Sequence, residues 1–94
     1  MRRDGSRAVV SGAVTLSSAR ALLEEGRGHL AAGVRTIDLG EVTELDSSLL
    51  AVIFAWMREA RAHGRTLALR RVPPDLASLA RLYGVAELLP QAPR

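Results

Sequence analysis

The stretch TELDSSLLAVIF, residues 43–54, changes from polar to apolar within a few positions. Asp46, Ser47 and Ser48 stand at this change, between a predicted strand end and a predicted helix. The Asp46 carboxylate suits the N-cap of that helix, because it accepts hydrogen bonds from free backbone N–H groups. Ser47 and Ser48 then lie in the first turn, where the helix dipole tolerates an added anion such as a phosphate. Both a capping role and a functional role, as a modified or partner-binding site, stay open for the two hydroxyls.

The helix that follows is predicted over residues 47–63 and carries two apolar stripes. The first stripe should pack on a sheet, and it consists of Leu50, Ile53, Phe54, Met57 and Ala60. The second stripe lies beside it and consists of Leu49, Val52 and Trp56. Two interpretations of the second stripe remain: neighbouring helices cover it, or it is an exposed partner-binding patch with Trp56 as its anchor.

Strand and helix patterns alternate along the rest of the chain. We predict strands at residues 7–15, 34–39 and 65–72, the first of them bent or divided in two. A helix capped by Ser17 and Ser18 follows the first strand, and another spans residues 73–84 before a short segment at 85–89. Alternation of this kind favours crossover connections and parallel strands. The predicted fold is one α/β domain over residues 1–94, with about four largely parallel strands, an N-terminal edge strand and three to four helices. Residues 1–6 and 91–94 should fray.

The composition narrows the possible functions. Hydrophobic residues make up 48% of the chain and charged residues 24%, which favours a folded domain over disorder. Thirteen basic residues are spread along the sequence among only three aromatic ones, so nucleic-acid binding is disfavoured. The longest apolar run, LLAVIFAWM, is far shorter than the ~18 residues of a membrane span. Without cysteine or a secretion signal, the chain is expected to be cytoplasmic.

No set of residues for catalysis or metal binding emerges from the sequence. A nucleophilic Ser47 needs a nearby base, but His63 should lie roughly 24 Å away at the other end of the same helix. His29 has no cysteine or histidine partner at metal-binding spacing. No glycine-rich phosphate loop is present either, so a nucleotide-binding domain ranks low. We therefore expect a binding module without enzyme activity, metal or cofactor.

The segment IDLGEVTELDSSLLAVIFAWMREARAHGRTLAL, residues 37–69, resembles the core of a STAS domain, the fold of bacterial anti-sigma factor antagonists. The shared features are an apolar strand, a short loop, an Asp–Ser or Asp–Thr pair and a helix. The tail LASLARLYGVAELLP, residues 76–90, is most similar to the cytosolic STAS subunit of Mla-type phospholipid ABC transporters, which maintain outer-membrane lipid asymmetry.

The resemblance implies roles for individual residues. Ser47 occupies the position that is phosphorylated in sigma-factor antagonists and that is Thr or Ser in the transporter subunits. Asp46 matches the preceding acidic residue and Ser48 a small residue, whereas Leu49 departs from the usual Gly or Ala. Together with the second apolar stripe, the expected partner-binding residues are Asp46, Ser47, Ser48, Leu49, Val52 and Trp56.

Two functions follow from the resemblance. The first is a non-catalytic regulatory subunit that binds the ATPase of a phospholipid-trafficking ABC transporter and reaches the inner membrane only through that complex. The alternative is an anti-sigma factor antagonist, in which a serine-kinase anti-sigma factor phosphorylates Ser47. The added charge of about −2 would then repel the partner.

Overall fold

The computed structural model describes residues 1–91, which form one mixed four-stranded sheet with three α-helices. The strands are β1 (Arg2–Asp4), β2 (Arg7–Val14), β3 (Thr36–Leu45) and β4 (Ala68–Arg70), and they lie side by side in chain order. The helices are α1 (Leu16–Ala31), α2 (Ser48–Ala62) and α3 (Pro74–Leu82), followed by a 3₁₀ turn at Ala86–Leu88. Strands β2, β3 and β4 are parallel and β1 is antiparallel to β2, which confirms the predicted α/β fold.

All three helices share one apolar core with the sheet. Side chains that alternate along the strands, such as Ala8, Ile37 and Leu69, are buried in register across β2, β3 and β4. Because α1 connects β2 to β3 and α2 connects β3 to β4, both helices are crossover connections. The starts of α1 and α2 are therefore brought to the edge of the sheet where β2 and β3 end.

The prediction that residues 1–6 fray is wrong, because Arg2–Asp4 forms the edge strand β1. It pairs with β2 through a tight hairpin, in which Asp4 lies opposite Arg7. Gly5 adopts a left-handed conformation with φ of 64° in this turn, which glycine tolerates better than other residues. The dipeptide Gly5-Ser6 between the two strands is the signal that identifies the hairpin. At the other end, Gln91 bridges to Leu69, and residues 92–94 lie outside the described part of the chain.

Other boundaries also differ from the prediction, and β4 covers only Ala68–Arg70 of the predicted residues 65–72. Strand β3 continues to Leu45 instead of ending at residue 39, since Glu41 and Glu44 pair with β2. At two points β3 carries one more residue than β2, and these shifts of register allow the long pairing while the charged side chains stay exposed. Helix α1 begins at Leu16, before the predicted caps Ser17 and Ser18. Thr15 precedes it, and its backbone N–H donates to the Ser18 hydroxyl over 3.1 Å.

Helices α1 and α2 approach each other closely at Gly26. The fully buried indole of Trp56 lies against Gly26, and its Nε1–H donates to the carbonyl oxygen of Leu23 over 3.1 Å. A Cβ atom at Gly26 would lie 2.2 Å from Cε2 of the indole. Gly26 makes α1 intrinsically less stable as a helix. Its missing side chain, however, leaves the space in which Trp56 packs between the two helices.

Gly26→Ala should lower the free energy of unfolding by about 1–3 kcal/mol, because the new methyl group overpacks the Trp56 contact. Gly28→Ala is the matched control in the same helix, since nothing lies within 4 Å of its added Cβ. It should raise stability by up to about 1 kcal/mol through helix propensity. Urea denaturation of both variants measures the difference, and equal midpoints for the two would contradict this account of α1–α2 packing.

The face of the sheet opposite the core holds one buried carboxylate. Asp38 is 2% exposed and accepts hydrogen bonds from Nε of Arg71 at 2.9 and 3.1 Å and from the Gly40 N–H at 2.8 Å. Burial alone raises the pKa of Asp38, but these hydrogen bonds together with the positive charges of Arg71 and Arg7 outweigh it, and the pKa lies below its usual value. Arg71 makes this contact from a left-handed backbone with φ of 52°. The pair thus holds the end of β4 against β3.

Candidate functional site

The carboxylate of Asp46 joins the beginnings of two helices. Its Oδ1 accepts hydrogen bonds from the backbone N–H of Ser48, over 2.8 Å, and from the Ser48 hydroxyl. Its Oδ2 accepts the backbone N–H of Leu16, the first residue of α1, over 3.0 Å. The Asp46 carboxylate thus accepts a free N–H at the start of α2 as predicted, although the N-cap position itself is held by Ser47. The structure adds a similar contact at the start of α1. One side chain satisfies free N–H groups at both helix starts.

From this junction α1 and α2 run side by side in the same direction. Leu23 contacts Trp56 further along, and beyond them Nε of Arg27 lies 2.9 Å from Oε1 of Glu59. Two helices that begin together also bring together the positive ends of their dipoles. The Asp46 carboxylate neutralises part of this charge, which leaves a small polar end surface with a fixed geometry.

The two hydroxyls at this end are not equivalent. Ser48 is partly buried and its hydroxyl donates to Asp46, so it is committed to the junction. Ser47 is exposed, directly precedes α2, and makes no side-chain capping hydrogen bond. The sequence alone does not show that these two serines differ in role. In the structure, the Ser47 hydroxyl is the one that a partner or a modifying enzyme could reach.

The second apolar stripe of α2 is not an exposed patch. Leu49 and Trp56 are fully buried and Val52 is 4% exposed. Of the two interpretations of this stripe, cover by a neighbouring helix is therefore the right one, because α1 packs against this side of α2. In the stripe predicted to face the sheet, Leu50, Ile53 and Ala60 are buried, while Phe54 and Met57 are only partly buried.

Burial removes Leu49 and Trp56 from any docking surface of the folded chain, and it leaves Val52 only 4% exposed. These side chains belong to the apolar core and hold α2 in place behind its exposed end. Asp46 and Ser48 are partly exposed and Ser47 is exposed, so these three predicted site residues do lie together at the surface.

An apolar residue whose exposure the sequence pattern does not predict lies at this end. Leu16 is 80% exposed although it is a leucine. It lies at the start of α1 beside Asp46, and it opens a groove of about 460 Å³ between α1 and α2. The groove is lined by Leu16, Ala19, Arg20, Leu23, Glu24, Ser48, Ala51, Val52, Ala55 and Arg58. A leucine directly after the helix-capping Thr15 is the one signal of this feature in the sequence.

No histidine lies near the Ser47 hydroxyl. His63 follows the last residue of α2, and its Nε2 lies 3.0 Å from Oε2 of Glu59. His29 is in the last turn of α1, at the opposite end from the Asp46 junction. Within residues 1–91, no three potential ligands cluster as a metal site requires. None of the helices in that part of the chain is both long and apolar enough to cross a membrane.

Hydrogen bonding lowers the pKa of Asp46. The Ser48 hydroxyl has the largest effect, followed by the backbone N–H of Ser48; the backbone N–H of Leu16 contributes less, and partial burial opposes all three. Because the folded state has the lower pKa, the junction stabilises the protein fully above the unfolded value of ~3.9. That contribution is lost as the pH falls through the folded-state pKa. The Asp46 junction is thus an anionic, helix-joining contact at neutral pH.

The pKa of Asp46 should rise in Ser48→Ala, because the variant loses the hydroxyl hydrogen bond but keeps the backbone N–H. An NMR titration of the Asp46 carboxyl carbon measures this change. Asp38 serves as the internal control, since its partners Arg71 and Gly40 are unaffected. An Asp46 pKa that is the same in the variant and the natural chain would contradict the role assigned to Ser48.

Comparisons with known proteins agree with this architecture. The anti-sigma factor antagonist SpoIIAA in its unphosphorylated form is 16% identical, with a TM-score of 0.63 over 87% of this chain and 79% of that one. A putative anti-sigma factor antagonist from Thermotoga maritima is 15% identical, with a TM-score of 0.75 over 99% of this chain and 84% of that one. At these identities, the likeness concerns the fold alone.

No match to a curated protein sequence reached significance. A family model described as "Mlab, STAS domain" matches residues 1–90. This match includes the hairpin of β1 and β2, the Asp46 junction and α3. With nearly the whole chain covered and the fold in agreement, the chain belongs to the STAS domain family.

Proposed function

We propose that this chain is a non-catalytic regulatory subunit that binds the ATPase of a phospholipid-trafficking ABC transporter through the Ser47 end of α2. The observation that carries this proposal is the exposed Ser47 hydroxyl, which is held beside the Asp46 junction and far from both histidines. The description "Mlab" of the matching family model supports a transporter ATPase as the partner, in agreement with the resemblance of residues 76–90. Membrane contact is then indirect, through the transporter.

A small polar end surface of this kind favours protein docking. A hydroxyl both donates and accepts hydrogen bonds, and the exposed hydroxyl of Ser47 makes no side-chain capping hydrogen bond to α2. Leu16 adds an exposed apolar side chain at the same end. Because Asp46 ties both helix starts together, little conformational entropy is lost when a partner binds there.

The alternative function is an anti-sigma factor antagonist that is switched by phosphorylation of Ser47. It is supported by the names of the two solved structures, which are described as an antagonist and a putative antagonist. A phosphate on Ser47 would add about −2 charge beside the Asp46 carboxylate. The helix starts attract an anion, but Asp46 already occupies the N–H groups of Ser48 and Leu16. A phosphate would therefore change the charge of the docking surface more than its structure.

Ser47→Asp and Ser47→Leu should each reduce partner recovery by about tenfold or more, because one adds a charge and the other removes the hydroxyl. The measurement is affinity purification of the tagged chain from its native cells, with quantitative mass spectrometry. Ser6→Asp is the matched control, since Ser6 is an exposed serine at the opposite end of β2. Thermal unfolding should be nearly unchanged in all three variants.

The proteins recovered with the natural chain decide between the two functions. An ABC ATPase and its permease support the transporter subunit. A serine kinase or a sigma-factor regulator supports the antagonist instead. If both Ser47 variants retain their partners as well as Ser6→Asp does, Ser47 does not belong to the docking surface and both versions of the proposal are wrong.

A further inference from the structure

We infer that the groove between α1 and α2 is a second docking surface, which binds an acidic amphipathic helix of a partner protein. This inference deepens the proposed function, because it rests on the chain being a partner-binding subunit and specifies the chemistry of the partner. The groove starts at the Ser47 end, where Leu16 and Ser48 line it. A second depression of about 340 Å³ continues it along the same two helices and shares Leu23, Ala55 and Arg58.

The floor of the groove is apolar and shallow. Small side chains such as Ala19, Ala51 and Ala55 line it, with Leu23 between them and the exposed Leu16 at its open end. Small residues allow the backbone of another helix to approach closely, and Leu16 offers an apolar contact at the entrance. From Ser48 to Ala62, α2 extends over about 21 Å. A helix of roughly 14 residues would therefore fit along the groove.

The charges on the rim favour an acidic occupant. Arg20 of α1 and Arg58 of α2 are exposed and line the groove. Neither forms an ion pair within residues 1–91. In contrast, Glu24 is paired with Arg27, which also pairs with Glu59. Two arginines are thus available on either side of an apolar floor, while the nearby carboxylates are already engaged.

A helix is the occupant that matches both features. Two adjacent parallel helices form a groove that accepts a third, with apolar residues at i, i+3, i+4 and i+7 facing the floor. Glutamates or aspartates that flank those positions would reach Arg20 and Arg58. A second copy of this chain fits less well, because each copy has a net charge of +3.

The test uses a fluorescein-labelled 14-residue amphipathic peptide with leucines on one face and glutamates beside them. A second peptide carries lysine in place of every glutamate. Fluorescence anisotropy measures the binding of each peptide to the full chain, and ¹⁵N NMR locates the site. The protein variants are Arg20→Glu/Arg58→Glu and, as a matched control, Arg61→Glu. Arg61 is an exposed arginine of α2 that borders a different depression, with Met57 and Arg65.

The acidic peptide should bind saturably and shift the backbone amide signals of Ala51 and Ala55, while the basic peptide binds weakly or not at all. The double variant Arg20→Glu/Arg58→Glu should bind the acidic peptide about tenfold or more weakly and the basic peptide more tightly than the natural chain does. Arg61→Glu should leave both affinities nearly unchanged. The inference would be overturned if the acidic peptide did not bind saturably, or if the double variant and the Arg61→Glu control changed its affinity equally. Binding of phosphatidylglycerol vesicles, rather than the peptide, that depends on Arg20 and Arg58 would also overturn it.

This experiment is independent of the transporter. If the peptide fails to bind but Ser47 variants lose the ATPase, only the groove assignment is wrong. If the peptide binds through Arg20 and Arg58 but no ATPase is recovered with the natural chain, only the proposed function is wrong.

Discussion

The hydrogen bonds of one carboxylate determine how the starts of α1 and α2 are arranged. Asp46 ends the connection from β3 and accepts N–H groups from the first turns of both α1 and α2. These contacts fix where the two helices begin, and they decide which of two adjacent serines keeps a free hydroxyl. The parallel order of β2 and β3 makes this possible, because both strands end at the same edge of the sheet.

The contact between Trp56 and Gly26 keeps the two helices together beyond that junction. Since the indole needs the space of a missing side chain, α1 and α2 lie close for about three turns from their shared beginning. The same closeness buries Leu49 and Val52 and leaves the alanines of the outer side as the floor of a groove. The core packing of α2 and the groove that we propose as a docking surface therefore have a common origin.

Much of this arrangement could be predicted from the sequence, and the failures have physical causes. The alternation of strands and helices and the Asp46 cap follow from local patterns. Local patterns do not show whether Trp56 belongs to the core or to the surface. Helix α2 is apolar on both stripes, and the packing of α1 determines which of them is covered. The Leu16–Asp46 contact spans thirty residues of sequence and leaves no periodic signal. Strand β1 was missed because three charged residues resemble a frayed terminus, although Gly5-Ser6 marks the turn.

We propose a direct contact between the Ser47 end of α2 and the ATPase of an ABC transporter. Its most direct test replaces Ser47 with the photo-crosslinking residue p-benzoylphenylalanine in the native cells, with the same replacement at Ser6 as the control. After irradiation, mass spectrometry identifies the cross-linked protein. We expect a cross-link to an ABC ATPase from position 47 and none from position 6. A cross-link from position 47 to a serine kinase, or to no protein at all, would contradict it.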